Sequence, residues 1–411
     1  MGGLRGLPET ACGARFAVLN WRNNSGPITH FVDWHTYIRG LRRFEHHSLK
    51  EVLLRWVLPS DWDELVSLSD TEHQVVDLAD SELYDPTQNQ PHQRGDIRGF
   101  IVENGVLWPA LGAVRTSNGG LIKESFFDDT SRKLALDWGY AKRFPRTEDC
   151  GAAATLGCLY RNYYHRFADA IPRIYALYHP SIQRYDTVRL YLDERFSADE
   201  LRVIRHLVPD NVNVKVVDAA TRIQAAQCIH LPYLSSDRTG ASKWFEASVG
   251  FLPRQCLDWL REEIYELVEV QPAEPFRKLY VTRRNAKVRR LINEDEVASY
   301  LRSKGFEVVA LEERPLREQV QLFAEASVVV AQHGAGLVNL LFSQDVRVLE
   351  VCSDQDRQIY FRLLSKARGF PHHQIHRDGK NKNADVVLPV RELREGLDTL
   401  GSLSGTSSEE K

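Results

Sequence analysis

Three stretches in the C-terminal half carry side chains suited to holding an anion. Thr282-Arg283-Arg284-Asn285 offers two guanidinium groups, which bind phosphate oxygens through charge-assisted and often bidentate hydrogen bonds. In His333-Gly334-Ala335-Gly336, two glycines let a backbone approach a phosphate closely, and the amides of a following helix favour its charge. Glu350 supplies a carboxylate that can accept hydrogen bonds from ribose hydroxyls. Taken singly, each has a plain explanation: a His-Gly-x-Gly turn arises by chance, and a Thr-Arg-Arg triplet commonly ends a strand in water. All three fall at or near successive strand ends, and together they fit a nucleotide diphosphate.

A fourth cluster lies upstream, Asn162-Tyr163-Tyr164-His165 with Asp169 and Arg173. On a helix His165 and Asp169 share one face, and a carboxylate can orient an imidazole and raise its basicity for acid/base work. The same spacing also fits a salt-bridge ladder in which Asp169 pairs with Arg173, unless Pro172 breaks the helix first. Both readings stand. No metal is required: Asp354-Gln355-Asp356 reads as a loop or helix cap, and His372-His373 with His376 as a solvated pair ahead of a strand. The cysteines, Cys12, Cys150, Cys158, Cys228, Cys256 and Cys352, form no C-x-x-C pair and read as buried free thiols.

These groups need strands and helices to hold them. Strands are expected at 189–192, 212–217, 279–282, 306–311, 327–331 and 346–351, with helices at 198–207, 244–268, 293–304 and 316–326 between them. A further helix over 159–178 is expected to kink at Pro172. Asn293 with Glu296 reads as a capping box. Alternating strands and helices imply parallel sheets, so the chain reads as α/β, with two Rossmann-like lobes facing a cleft and joined near 271–275. Ahead of them, Glu103-Asn104-Gly105 between Phe100-Ile101-Val102 and Val106-Leu107-Trp108 signals a hairpin, with a second strand pair around 117–120. This makes a small antiparallel β region. The expected domains are an extension over 1–95, a first lobe over 96–270, a second, nucleotide-binding lobe over 276–395 and a flexible tail over 396–411. A helix is also expected over 36–56, and a turn-rich linker over 85–91.

A chain of 411 residues suits two domains. Hydrophobic residues at 43%, charged residues at 27% and a net charge of −3 describe a globular protein without the positive field that nucleic acid requires. The start reads as neither a signal peptide nor a span, which points to the cytoplasm. Arg39, Arg42, Arg43 and His46-His47 admit contact with an anionic membrane surface, although a solvated helix face is the preferred account of them.

Asn162-Tyr163-Tyr164-His165 through Asp169-Ala170-Ile171-Pro172-Arg173 resembles a motif of glycosyltransferase family 61. So do Leu279 to Arg284 with Arg290 to Glu296, and Gln332-His333-Gly334-Ala335-Gly336-Leu337-Val338-Asn339-Leu340-Leu341-Phe342. The resemblance runs over about residues 96 to 375. It implies a GT-B enzyme that inverts the anomeric centre while moving xylose, arabinose or N-acetylglucosamine from a UDP-sugar to an acceptor hydroxyl of a glycan. Arg283, Arg284, Asn285, His333, Gly334, Ala335, Gly336, Asn339 and Glu350 would then bind the donor, and Asn162, Tyr164 and Arg173 would face the acceptor. His165 or Asp169 would be the base. Many relatives carry an aromatic residue where Arg166 stands, and serine at Thr282. A GT-B nucleotide-sugar epimerase and a non-catalytic carbohydrate-binding relative are the competing expectations.

Overall fold

The structure is a computed structural model that describes residues 21–23, 26–28, 65–77, 98–126, 146–157, 161–233, 253–355 and 359–403. The helix expected over 36–56 and the linker over 85–91 lie outside the described residues. The chain divides into two compact units, Met1–Pro59 and Ser60–Lys411. In the first, β1 (Trp21–Asn23) pairs antiparallel with β2 (Gly26–Ile28), Trp21 opposite Ile28.

Among the described residues, the second unit contains two sheets. The first has ten strands: β3 (Leu65–Val66), β4 (Gln74–Asp77), β5 (Arg98–Glu103), β6 (Val106–Trp108), β7 (Ala113–Arg115), β8 (Leu121–Ile122), β9 (Arg146–Thr155), β10 (Val188–Asp193), β11 (Val212–Val217) and β12 (Arg222–His230). Strands β11, β10, β9 and β12 lie side by side and parallel. Helix α1 (Ala198–Leu207) is the crossover from β10 to β11. Ser197 starts it with a capping box, its Oγ accepting from the Glu200 amide while Glu200 accepts from the Ser197 amide. Val203, Ile204 and Leu207 face the core.

The antiparallel strands continue this sheet and are not a separate region. Glu103-Asn104-Gly105 is a short break between two strands that keep one register, not the expected hairpin turn. Strands β5 and β6 follow one another along β12, with Phe100 opposite His230, Glu103 opposite Gln227, and Leu107 opposite Ile223. Asn104 takes φ 51° and donates its N–H to Ala226 O at 2.8 Å. Asn tolerates a positive φ within a strand path that continues as well as at a reversal, and only the partner strand decides between them. The chain reverses later, between β6 and β7, and again around 117–120 as expected.

The expected 159–178 helix is not α-helical through its described part. His165–Ala170 is a π-helical turn and Ile171–Tyr178 a 3-10 helix, with Pro172 at the start of the latter. Proline has no N–H for an i−4 bond and crowds that carbonyl, so the pitch changes there.

After α2 (Arg254–Val268), the second sheet runs β13 (Arg277–Val281), β14 (Glu307–Val309), β15 (Ala326–Gln332), β16 (Arg347–Ser353) and β17 (His372–Arg377). All five strands are parallel, in the order β14-β13-β15-β16-β17. Helices α3 (Glu294–Ser303), α4 (Leu316–Ala324) and α5 (Tyr360–Arg368), together with a 3-10 helix at Ala335–Phe342, occupy the connections, and α6 (Val390–Ser402) follows β17. His372, His373 and His376 are inside β17, and the His372 side chain is buried, where the sequence suggested a solvated pair ahead of a strand. Asn293 does precede α3, but its side chain makes no cap. It exchanges hydrogen bonds with the Leu388 backbone at 2.9 and 3.0 Å and donates to Glu296 at 3.0 Å.

One cluster of buried side chains spans both sheets, from Leu190, Ile204, Leu257 and Ile264 to Val281, Phe323, Val329 and Phe342. Cys228, Cys256 and Cys352 are buried free thiols, and burial pushes the Cys256 thiol well above its ordinary range. Among the described residues, no helix is long and apolar enough to cross a membrane.

Candidate functional site

In the second sheet the chain leaves β13 toward β14 on one side and returns to β15 on the other. This reversal of strand order opens a crevice beyond the carboxyl ends, where ligands bind in open parallel sheets. A cleft of about 270 Å³ lies there, lined by Val281, Thr282, Arg283 and Asn285 after β13, Leu311 and Glu312 after β14, and Ala331, Gln332, Gly334, Gly336 and Leu337 around the end of β15. Of the expected donor-binding residues, Arg283, Asn285, Gly334 and Gly336 are brought together here.

The contact between Arg283 and Gly334 ties the two strand ends. A Cβ on Gly334 would lie 1.8 Å from Arg283 Nη1, so only glycine lets the guanidinium cross that backbone. The residue is extended at φ 176°, so close approach, not a left-handed conformation, explains the glycine. Arg283 is held from behind by donating Nε to Arg289 O and Nη2 to Val288 O, both at 3.2 Å. Asn285 donates to Glu313 at 2.9 Å. Arg284 turns away, its exposed guanidinium pairing with Asp295 at 2.9 Å.

Glu294, quoted in the family motif but given no role, organises this loop. Its buried Oε1 accepts from the hydroxyls of Tyr280, at 3.0 Å, and Thr282, whose oxygen in turn accepts the Arg284 amide at 3.1 Å. Burial and the Glu294 charge raise the Tyr280 hydroxyl well above its usual range. The spacing from Tyr280 to Glu294 gives no periodic signal, because the bond joins a strand to the next helix.

His333 and Glu350 form a second group. His333 is 2% exposed, and its ring shares a hydrogen bond of 2.6 Å between Nδ1 and Glu350 Oε1. Glu350 Oε2 accepts from His372 Nε2 at 3.0 Å and Gln374 Nε2 at 2.7 Å. Burial alone would raise this carboxyl, but the bonds and charges of His333 and His372 hold it well below the usual carboxylate range. Glu350 was expected to take a ribose, yet it is fully buried with both oxygens engaged. It acts as an anchor beneath His333. A side chain in the middle of β16 points inward when helices cover both faces of a parallel sheet.

On the other side, His165 Nδ1 hydrogen-bonds Asp169 Oδ2 within the π-helical turn. The Asp169 side chain is 2% exposed and that of His165 is 17% exposed. Asn162 accepts the His165 amide at 3.1 Å and so fixes the start of the turn. Arg173, expected near an acceptor, is instead fully buried. It donates to Leu231 O and Gly157 O and stacks 4.0 Å from the Tyr233 ring. Arg166 is also buried, 3.6 Å from the Phe196 ring centroid.

The two groups are joined by rings and one polar bridge. Centroid separations run 5.2 Å from His165 to Tyr164, 5.5 Å from Tyr164 to Phe361 and 5.0 Å from Phe361 to His333. Tyr163 donates to Asn339 Oδ1 at 2.7 Å, and Asn339 Nδ2 donates to Gln319 at 3.0 Å. Asn339 is thus a buried strut between the halves. Ala335 opens the 3-10 helix behind the glycine turn.

Among the described residues, two sets of side chains could hold a metal: His333, Glu350 and Cys352, and His206, Glu263 and Glu266. In the first, His333 and Glu350 are already bonded to each other, and Cys352 accepts from Gln374 at 3.6 Å.

The fold is a doubly wound α/β arrangement with a cleft where the strand order reverses. Residues 163–349 match the family model described as Glycosyltransferase 61, so this segment is a domain of that family. A β-1,2-xylosyltransferase from Arabidopsis thaliana is 28% identical over 126 residues, covering 27% of this chain and 23% of the relative. The β-1,2-xylosyltransferase RCN11 from Oryza sativa subsp. japonica is 34% identical over 84 residues, covering 20% of this chain and 16% of the relative. The chain therefore spans less than a quarter of the length of these curated relatives in the matched regions.

Proposed function

We propose that the protein is an inverting glycosyltransferase of GT-B architecture that moves a pentose or hexose from a UDP-sugar to a hydroxyl of a glycan. The observation that carries this is the crossing of Arg283 over Gly334 at the mouth of the cleft, within a glycosyltransferase 61 segment. Residues 276–395 form the donor lobe and 96–270 the acceptor lobe, with 1–95 as an extension and 396–411 as a tail. Xylose is the first donor sugar to try, since both named relatives are xylosyltransferases.

In the reaction the acceptor oxygen attacks the anomeric carbon as the bond to the diphosphate breaks on the opposite face. The electron pair leaves with UDP, and the acceptor proton passes to His165. Asp169 supports this role: bonded to Nδ1, it fixes the tautomer that leaves the basic lone pair on Nε2 and stabilises the imidazolium that forms. Arg283 and the amides of the glycine turn stabilise charge on the leaving diphosphate, work that needs no metal when cationic and dipolar groups are already in place.

The test is calorimetry with UDP, followed by NMR of the product formed from UDP-xylose, UDP-arabinose or UDP-N-acetylglucosamine with a glycan panel. Binding of UDP and an inverted linkage are expected. A donor altered without any acceptor would indicate an epimerase, and failure to bind UDP would end the proposal.

A further inference from the structure

Gln332 is the last residue of β15 and lines the cleft. It is 4% exposed, and its Oε1 is buried without a hydrogen-bond partner among the described residues. Its polar neighbours in the cleft differ. Thr282 is tied to Glu294, Arg283 to two backbone carbonyls and Asn285 to Glu313, while Glu312 is exposed to water. An amide oxygen kept from water and left unpaired is unfavourable, and native structures retain few such groups. The terminal amide torsion of glutamine is broad and roughly two-fold, so oxygen and nitrogen can turn together toward an arriving ligand.

The surroundings narrow the kind of ligand. Val281, Leu311, Ala331 and Leu337 make much of the wall apolar. Gly336 keeps Leu311 close, because a Cβ there would lie 2.9 Å from Leu311 Cδ1. Apolar walls suit the faces of a flat heterocycle better than the hydroxyls of a sugar. A carboxamide places one acceptor beside one donor, the pattern by which glutamine and asparagine read base edges.

We infer that Gln332 reads the nucleobase of the donor: Oε1 accepts from a ring N–H, and Nε2 donates to the adjacent ring carbonyl. That N–H/C=O edge is what uracil presents. The inference rests on the UDP-sugar reading above and adds a specificity residue to it. It also accounts for the missing partner of Gln332, since the ligand supplies it.

Calorimetry on the full chain tests it with two probes, UDP and N3-methyl-UDP, whose ring nitrogen has no hydrogen to give. The wild type is expected to bind UDP on the order of tenfold more tightly than N3-methyl-UDP. Gln332→Met keeps the bulk and removes both polar atoms, so it should bind the two probes equally. Gln332→Glu keeps an acceptor and should still prefer UDP, and it serves if the methionine variant lacks a cooperative melt. A folded Gln332→Met that retains the wild-type preference overturns the inference and leaves the donor reading intact. A wild type that binds UDP without preference over the methylated probe also overturns it. A wild type that binds neither probe removes the donor reading and this inference with it.

Discussion

At the scale of single residues, two residue pairs carry the proposed chemistry. His165 with Asp169 can take a proton, and Arg283 beside Gly334 can meet a phosphate. His165→Ala is expected to lower kcat by roughly a hundredfold or more, the usual contribution of a positioned base, with little change in UDP affinity. Asp169→Asn keeps the shape but loses the charge that fixes the tautomer, and should also lose turnover while still binding UDP. Steady-state rates at saturating donor, paired with calorimetry, check both. If both variants keep full turnover with a folded spectrum, the base lies elsewhere. Arg283 and the glycine turn were legible in the sequence because strand ends are easy to locate beside Val- and Leu-rich runs. Gln332, Glu294 and Tyr163 were not, since their importance comes from partners or from a missing partner in three dimensions.

At the scale of elements, β13 and β15 do the positioning, and the glycine turn decides how closely they cooperate. Gly334→Ala would push a methyl group into the Arg283 guanidinium. UDP affinity should fall roughly ten- to hundredfold, as for Arg283→Ala, because a charge-assisted contact is displaced. The double variant should be no worse than either single one, and full additivity would show that the two residues act separately. Reading these elements from sequence worked where strands are Val-rich and buried, as in Ser327 to Ala331. It missed β9, whose Gly-Ala-Ala-Ala segment lacks β-branched side chains, and β12, whose run of Arg, Gln and Ala resembles a surface segment. It also started β17 too late, a strand that is half-buried at the sheet edge and rich in histidine. These strands owe their state to their neighbours in the sheet, a non-local term that no short window contains.

At the scale of the whole molecule, Glu350 ties β15, β16 and β17 through His333, His372 and Gln374. Its carboxyl is depressed in the folded protein, so an unfolded chain takes up the proton first as pH falls. The stability it contributes is complete above the ordinary glutamate value of about 4.3 and is lost as pH drops through the lower folded value. Urea titrations should show wild-type stability declining below about pH 4.3, with a flatter decline for Glu350→Gln. At pH 7 the variant should be less stable by about 1–3 kcal/mol. An unchanged acid slope would mean that other carboxyls govern it.

The shared core of the two sheets has a consequence for detecting ligands. Trp259, set between Tyr175 and Tyr178 on α2, does not line the cleft at the end of β15. Because one apolar cluster joins the regions, they should melt as a single cooperative body, and whatever binds only the native form delays that melt everywhere. Tryptophan emission during heating, to which this indole contributes, would then report nucleotide loading from a distance, with no dye or label.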